Sequence, residues 1–160
     1  MPGKVIGKSL NFGYPGQIAR TGDEVSRTFP VKTGPINFGQ AVQLNADGLI
    51  VPFAGEFAGV AMRRVKSALA YTGQNLGQYI QGDACDILER GSITVHVVAG
   101  TAKPGAKVYA YKVASAGKEV GDFAAAADGT NTVELADVKF ATTADANGVA
   151  EIVILNRKGL

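Results

Sequence analysis

The reactive side chains of this sequence are few, and their spacing does not bring them together. His96 is the sole histidine, so a histidine-based metal cluster cannot be built from this chain. Cys85 is the sole cysteine, and the carboxylates of Asp83 and Asp86 beside it disfavour the thiolate that a nucleophile needs. The sequence therefore favours a buried, inert cysteine, and a histidine at the surface or an interface.

The carboxylates Asp83, Asp86 and Glu89 recur at three-residue intervals, as ligands of a hard cation could. In a strand, odd offsets send side chains to opposite faces, so Asp83 and Asp86 would not converge. The chain also lacks a Gly-x-Gly-x-x-Gly pattern and a Gly-x-Ser-x-Gly nucleophile elbow. We therefore predict no catalytic residue, metal or cofactor, and a small hydrolase using Asp83, Asp86 or Cys85 is the least favoured alternative.

Basic side chains offer a different kind of chemistry, namely contact with a partner. Arg63, Arg64 and Lys66 cluster at the end of a predicted strand, where they could form a solvated rim. In the alternative interpretation, an arginine there forms a bidentate contact with a carboxylate of a partner, and Arg20 and Arg27 contribute to the same interface.

Charge is distributed unevenly along the chain. The net charge of +2 is too small to indicate a nucleic-acid binder. Residues 1–66 hold eight basic and four acidic side chains, a net +4, and residues 67–160 hold eight and ten, a net −2. Such a chain could dock head-to-tail or onto an acidic surface. No apolar run approaches the roughly 18 residues of a spanning helix, and no signal peptide is apparent, so we expect no membrane partner and synthesis in a cytoplasm.

Two glycine-containing turns between alternating apolar runs predict hairpins. Residues 46–48 (Ala-Asp-Gly) join the runs 41–45 and 49–53, and residues 144–148 join the runs 137–143 and 149–155. Such turns need residues that tolerate positive φ. Together with 21 glycines and no tryptophan, they favour an all-β protein of one domain.

Short strands follow one another at the spacing that is typical of a β-sandwich or barrel. Within one of them Ile93, Val95 and Val97 share a face, and within the last strand Ile152 and Ile154 do so. Residues 67–81 predict a long loop, and the alanine-rich residues 123–127 could form a short helix. The predicted strands are 24–31, 40–45, 48–53, 57–66, 83–89, 92–99, 106–113, 132–138, 139–143 and 149–155.

The first 35 residues differ from the remainder. Ten glycines and prolines interrupt every candidate run there except 24–31. We predict an extended N-terminal arm (1–35), lying over its own surface or a neighbour's, and a β-sandwich domain (36–160).

Seven short motifs in fixed order resemble the structural cement, or capsid decoration, proteins of tailed bacteriophages. The resemblance covers about residues 13 to 155. The motifs are Gly-Asp-Glu-Val-Ser-Arg at 22–27, Phe-Gly-Gln-Ala-Val at 38–42, Phe-Ala-Gly-Val-Ala at 57–61, Tyr-Ile-Gln-Gly-Asp at 79–83, Gly-Ser-Ile-Thr-Val at 91–95, Gly-Ala-Lys-Val-Tyr at 105–109 and Phe-Ala-Thr-Thr-Ala at 140–144.

The resemblance implies a jelly-roll-like β domain on the outer surface of an icosahedral head in the virion, made in the host cytoplasm. Such proteins bind as small homo-oligomers, here a homodimer or homotrimer, across junctions between major capsid protein subunits, and they have no catalytic residues to transfer. From arm composition and charge asymmetry, we predict capsid contacts at Arg20, Arg27 and Phe29, and secondarily at Arg63 and Arg64.

The alternative is a carbohydrate- or host-binding β module of a phage surface or fibre. Tyr71, Tyr79, Tyr109 and Tyr111 would then stack on sugars. The absence of tryptophan counts against this alternative, because indole offers the largest stacking face.

Overall fold

The computed structural model describes residues 11–64 and 77–156, which form eleven strands. No helix in these ranges is long and apolar enough to cross a membrane. The strands are β1 (Ile18–Pro30), β2 (Ile36–Asn37), β3 (Ala41–Leu44), β4 (Ile50–Pro52), β5 (Gly59–Ala61), β6 (Gln78–Tyr79), β7 (Ala84–Ala99), β8 (Lys107–Tyr111), β9 (Phe123–Ala124), β10 (Thr132–Phe140) and β11 (Val149–Ile154).

The C-terminal half of β7 belongs to a closed barrel. It pairs antiparallel with β11 from Gly91 to His96, and in parallel with β9 from Val97 to Ala99. The ring β11–β10–β8–β9–β7 closes through the β7–β11 pairing. The expectation of an all-β sandwich or barrel is therefore confirmed.

Alternating apolar residues fill the barrel, as the sequence predicts. Ile93 and Val95 from β7 and Ile152 and Ile154 from β11 lie in one buried cluster, with Val97 packed against it. Ile93 and Ile152 are fully buried. Each contributes roughly 2–3 kcal/mol of hydrophobic stabilisation relative to an exposed side chain.

The N-terminal half of β7 supports a second layer of strands. Leu88 pairs with Ser26 of β1 and with Val60 of β5, so β1 and β5 flank β7, and β3 and β4 continue the sheet beyond β5. A second buried cluster lies here and includes Tyr79 of β6 and Cys85.

Both predicted hairpins are confirmed, and their turns share one device. Asn45 Oδ1 accepts hydrogen bonds from the N–H groups of Asp47 and Leu49. Asp145 Oδ1 accepts from those of Asn147 and Val149. The turns join β3 to β4 and β10 to β11. A side-chain oxygen thus replaces a backbone acceptor in each turn.

Three local predictions are wrong for reasons of tertiary context. Residues 123–127 hold a strand rather than a helix, because Phe123 and Ala124 are fully buried and pair with both β7 and β8. The strands predicted at 83–89 and 92–99 are one strand, which continues through Gly91 at φ +116°. The predicted loop 67–81 contains β6, which pairs with β2, and its residues 67–76 lie outside the described ranges.

The described part of the predicted arm lies over the chain's own sheet. Its strand begins at Ile18, six residues before the predicted 24–31, and pairs with β7 as far as Pro30. Most side chains of β1 are exposed. Among the described strands β1 pairs with β7 alone, so no described strand covers its outer edge. The division between arm and domain at residue 35 stays a prediction.

A candidate interaction surface

Three of the five predicted contact residues line one groove of about 690 Å³. We call it the arginine groove. Arg20 comes from β1, and Arg63 and Arg64 follow β5. The lining residues are Phe12, Gly16, Gln17, Ile18, Ala19, Arg20, Met62, Arg63, Arg64, Thr94 and Glu151.

Close backbone approach at two glycines, Gly16 in the groove and Gly39 beside it, holds together the segments that carry the groove. The N–H of Arg63 donates to the carbonyl of Gly16 at 2.7 Å, and the N–H of Gly39 donates to that of Ala61 at 2.8 Å. A Cβ on Gly16 would lie 2.9 Å from the nitrogens of both Arg63 and Gly39, and one on Gly39 would lie 2.6 Å from the Cβ of Pro15. Both glycines have positive φ, so space and backbone conformation each require glycine there.

Thr94 of β7 fixes the turn that precedes β1. The N–H of Gly16 donates to the Thr94 carbonyl at 2.7 Å, and the N–H of Thr94 donates to the Gln17 carbonyl at 2.9 Å. The Thr94 hydroxyl also donates to the carbonyl of Tyr14 at 2.8 Å. Tyr14 is therefore held beside the groove although its side chain is largely exposed.

Arg63 lies over two aromatic rings. Its guanidinium carbon is 4.4 Å from the ring centre of Tyr14 and 5.8 Å from that of Phe38. Phe38 packs edge-on against the buried Tyr79, at 5.1 Å between ring centres. The Tyr79 hydroxyl donates to the carbonyl of Met62 at 2.7 Å, and burial raises its pKa, so the hydroxyl remains protonated as a donor.

Arg20 and Arg64 are engaged within the chain. Arg20 Nε donates to Glu151 Oε1 at 2.7 Å, and this hydrogen bond and charge raise the pKa of Arg20. The Arg20 side chain is 71% exposed, whereas that of Glu151 is 4% exposed. Arg64 Nε donates to Asp86 Oδ2 at 2.7 Å, and the Thr28 hydroxyl donates to the other oxygen of Asp86.

The remaining predicted contacts, Arg27 and Phe29, lie outside the groove, further along β1. Arg27 Nε donates to the buried Glu89 at 2.7 Å, and its guanidinium lies 5.2 Å from the ring centre of Phe29. Phe29 packs against the second buried cluster. Arg27 and Phe29 therefore hold β1 onto the sheet, whatever else they contact.

The candidate catalytic groups do not share a cleft. Cys85 is fully buried, as the sequence favours, and His96 is exposed, as expected. They lie eleven residues apart on β7, about 36 Å along the strand. The Asp83 carboxylate accepts a hydrogen bond from the backbone N–H of Ile80. Within residues 11–64 and 77–156, no three His, Cys, Asp or Glu side chains converge as metal ligands.

Two of the four tyrosines expected to stack on sugars are buried. Tyr79 and Tyr111 are buried, and the Tyr111 hydroxyl donates to Asp128 at 3.1 Å. Tyr109 is half-buried, and Tyr71 lies outside the described residues. The expectation that Tyr79 and Tyr111 stack on sugars is wrong, because both side chains are buried.

Sequence reasoning missed the residues that orient the arginines. Tyr14, Phe38 and Glu151 come from three distant segments that meet at the groove. One local pattern does point to Tyr14. It lies between Gly13 and Pro15, a combination that favours a turn with an exposed aromatic side chain.

Comparison with known proteins identifies the family. No curated protein matches the sequence. Among solved structures, a chain of the capsid of Myoviridae Phage XM1 has a similar fold, with a TM-score of 0.71 and 22% identity over 99% of this chain and 98% of that chain. Residues 3–154 match the family model of the XM1 gp53 minor capsid protein. The chain therefore belongs to the XM1 gp53 minor capsid protein family and is a phage virion structural protein.

Proposed function

We propose that the protein is a capsid cement. In this proposal it binds the outside of an icosahedral phage head as a homodimer or homotrimer and stabilises junctions between major capsid protein subunits. The observation that carries the proposal is the arginine groove, an open basic surface on a closed β scaffold, in a chain of a minor capsid family.

The stabilisation follows from mass action. A protein that binds the expanded lattice, and not the separated subunits, shifts the equilibrium toward the assembled shell. Many symmetric copies multiply a modest free energy of binding per copy. The open edge of β1 adds a second contact surface, because an exposed strand edge can pair with a neighbouring chain.

A non-enzymatic role is part of the proposal. Its support is the separation of the exposed His96 from the buried Cys85. We propose no nucleic-acid or membrane partner, since the net charge is only +2. Tyr79 and Tyr111 are buried and cannot stack on a sugar, which counts against the glycan-binding alternative.

Reconstitution on heads tests this function. Expanded heads lacking the protein should take up the purified chain to a saturating number of copies per head, measured by sedimentation and quantitative gel analysis. Decorated heads should release their DNA at a higher temperature than bare heads. Unexpanded heads serve as the control, because a clamp for expanded junctions should leave them bare. Saturation without any gain in thermal resistance, or no uptake, would contradict the proposal.

A further inference from the structure

We infer that Arg63 is the anchor of the partner interface and that it receives a carboxylate of the major capsid protein. This inference rests on the proposed function and adds the chemistry of the contact. Its basis is the difference between Arg63 and the other two arginines of the groove.

Among the described residues, Arg63 has no acidic partner. Residues 11–64 and 77–156 contain all 14 Asp and Glu side chains. Carboxylates in this part of the chain form ion pairs with Arg20 and Arg64, but none does so with Arg63. The Arg63 side chain is nevertheless exposed in a groove that also contains two other guanidinium groups.

The two rings orient Arg63 for binding. The contacts with the rings of Tyr14 and Phe38 hold the guanidinium by its charge, and no side-chain hydrogen bond of Arg63 is formed among the described residues, so its five N–H donors remain for an acceptor. The backbone hydrogen bond to Gly16 fixes the Cα beneath it. A guanidinium held in this way loses less conformational entropy on binding than a free one, which favours a two-point contact with a carboxylate.

A second copy of the chain is a poor source of that carboxylate. Seven acidic side chains form ion pairs with a lysine or arginine of their own chain, namely Asp23, Asp47, Asp86, Glu89, Asp128, Glu134 and Glu151. Six more accept hydrogen bonds within the chain, namely Glu24, Asp83, Glu119, Asp122, Asp137 and Asp145. To reach Arg63 of a second copy, 13 of the 14 carboxylates would have to give up these contacts, and only the exposed Glu56 makes neither kind of contact among the described residues. A capsid subunit is therefore the favoured partner, and Glu56 is the carboxylate that a second copy would offer.

Binding to expanded heads gives the first test. Arg63→Gln should weaken binding at least tenfold, because a bidentate contact to a charged group is lost. Arg63→Lys should bind with an affinity between those of wild type and Arg63→Gln, since lysine keeps the positive charge but cannot make a bidentate contact. Lys103→Gln is the matched control, because it removes one exposed charge outside the groove and should bind as wild type does. Unchanged thermal midpoints would exclude misfolding as the cause.

Carbodiimide coupling identifies the partner carboxylate. On decorated heads, the amine of Arg63→Lys should form an amide with a carboxylate of the major capsid protein, detected by peptide mass spectrometry. Arg64→Lys should instead couple to Asp86 of its own chain, which checks the chemistry.

The outcomes separate the two proposals. If wild type does not bind heads, the proposed function fails. If wild type and Arg63→Gln bind equally, or if the amine at position 63 couples to a second copy or to nothing, only the role of Arg63 is overturned.

Discussion

At the scale of single residues, the four arginines predicted or inferred to contact a partner differ, because three form ion pairs that hold the fold and one has no acidic partner among the described residues. Arg20, Arg27 and Arg64 each pair with a carboxylate of the same chain at 2.7 Å or less. Arg63 is oriented by aromatic rings instead. Residue type alone therefore does not identify a contact residue, because three of these four positively charged groups already stabilise the chain itself.

Arg27 should be important for stability. Its side chain is 34% exposed, and Glu89, with which it pairs, is 2% exposed. Arg27→Ala should lower the free energy of unfolding by about 2 kcal/mol, because the buried carboxylate loses the charge that compensates it. Denaturant unfolding measures this change. The double variant Arg27→Met, Glu89→Leu should recover most of the loss, and a double variant as unstable as Arg27→Ala would contradict the argument.

At the scale of elements, the β10–β11 turn joins the sheet to the segment that leads into the groove. Asp145 Oδ2 accepts a hydrogen bond from the N–H of Phe12 at 2.8 Å, while Oδ1 accepts the two hydrogen bonds that close the turn. Burial opposes ionisation of Asp145, but the N–H donors of Val149, Phe12 and Asn147 outweigh it and hold the pKa of that carboxyl below its ordinary value of 3.8. The ionised carboxylate therefore stabilises the folded state.

This pKa direction gives a dependence on pH. Because the pKa is lowered by folding, the stabilisation is present above the ordinary value of 3.8 and is lost as the pH falls through the folded-state value below it. Asp145→Asn should lower the melting temperature at pH 7 by roughly 3 °C. The difference in melting temperature between Asp145→Asn and wild type should shrink below pH 3.8. At pH 7, the backbone N–H of Phe12 should exchange faster in Asp145→Asn than in wild type. A constant difference across this range would contradict the role of the carboxylate.

The strands and turns differ in how well they can be predicted from the sequence. The turns at 46–48 and 144–148 are predictable, because Asn45, Asp145 and the turn glycines act on neighbouring residues. β9 is not, because Phe123 and Ala124 become a strand only through pairing with β7 and β8. The sequence singles out Arg20, Arg63 and Arg64, which line the groove, but it does not predict the groove itself. Tyr14 and Phe38 reach Arg63 through the crossing at Gly16 and Gly39, which no local pattern encodes.

At the scale of the whole molecule, a closed barrel and a flanking sheet share β7 and support one basic groove. A closed barrel has no free edge, so the edge of β1 that no described strand covers belongs to the flanking layer. The arginine groove lies where this layer meets the barrel, because Thr94 and Glu151 of the barrel strands line it together with the arginines. This arrangement suits a protein that works by covering a surface, with a rigid scaffold behind a contact face. It also explains why reactive side chains are buried or scattered.

A cryo-EM reconstruction of expanded heads bound to the purified protein tests adhesion to the capsid most directly. The account predicts density over the junctions between major capsid protein subunits, with Arg20, Arg63 and Arg64 facing the lattice. Density whose arginine groove faces solvent, or heads that remain bare at saturating protein, would contradict it.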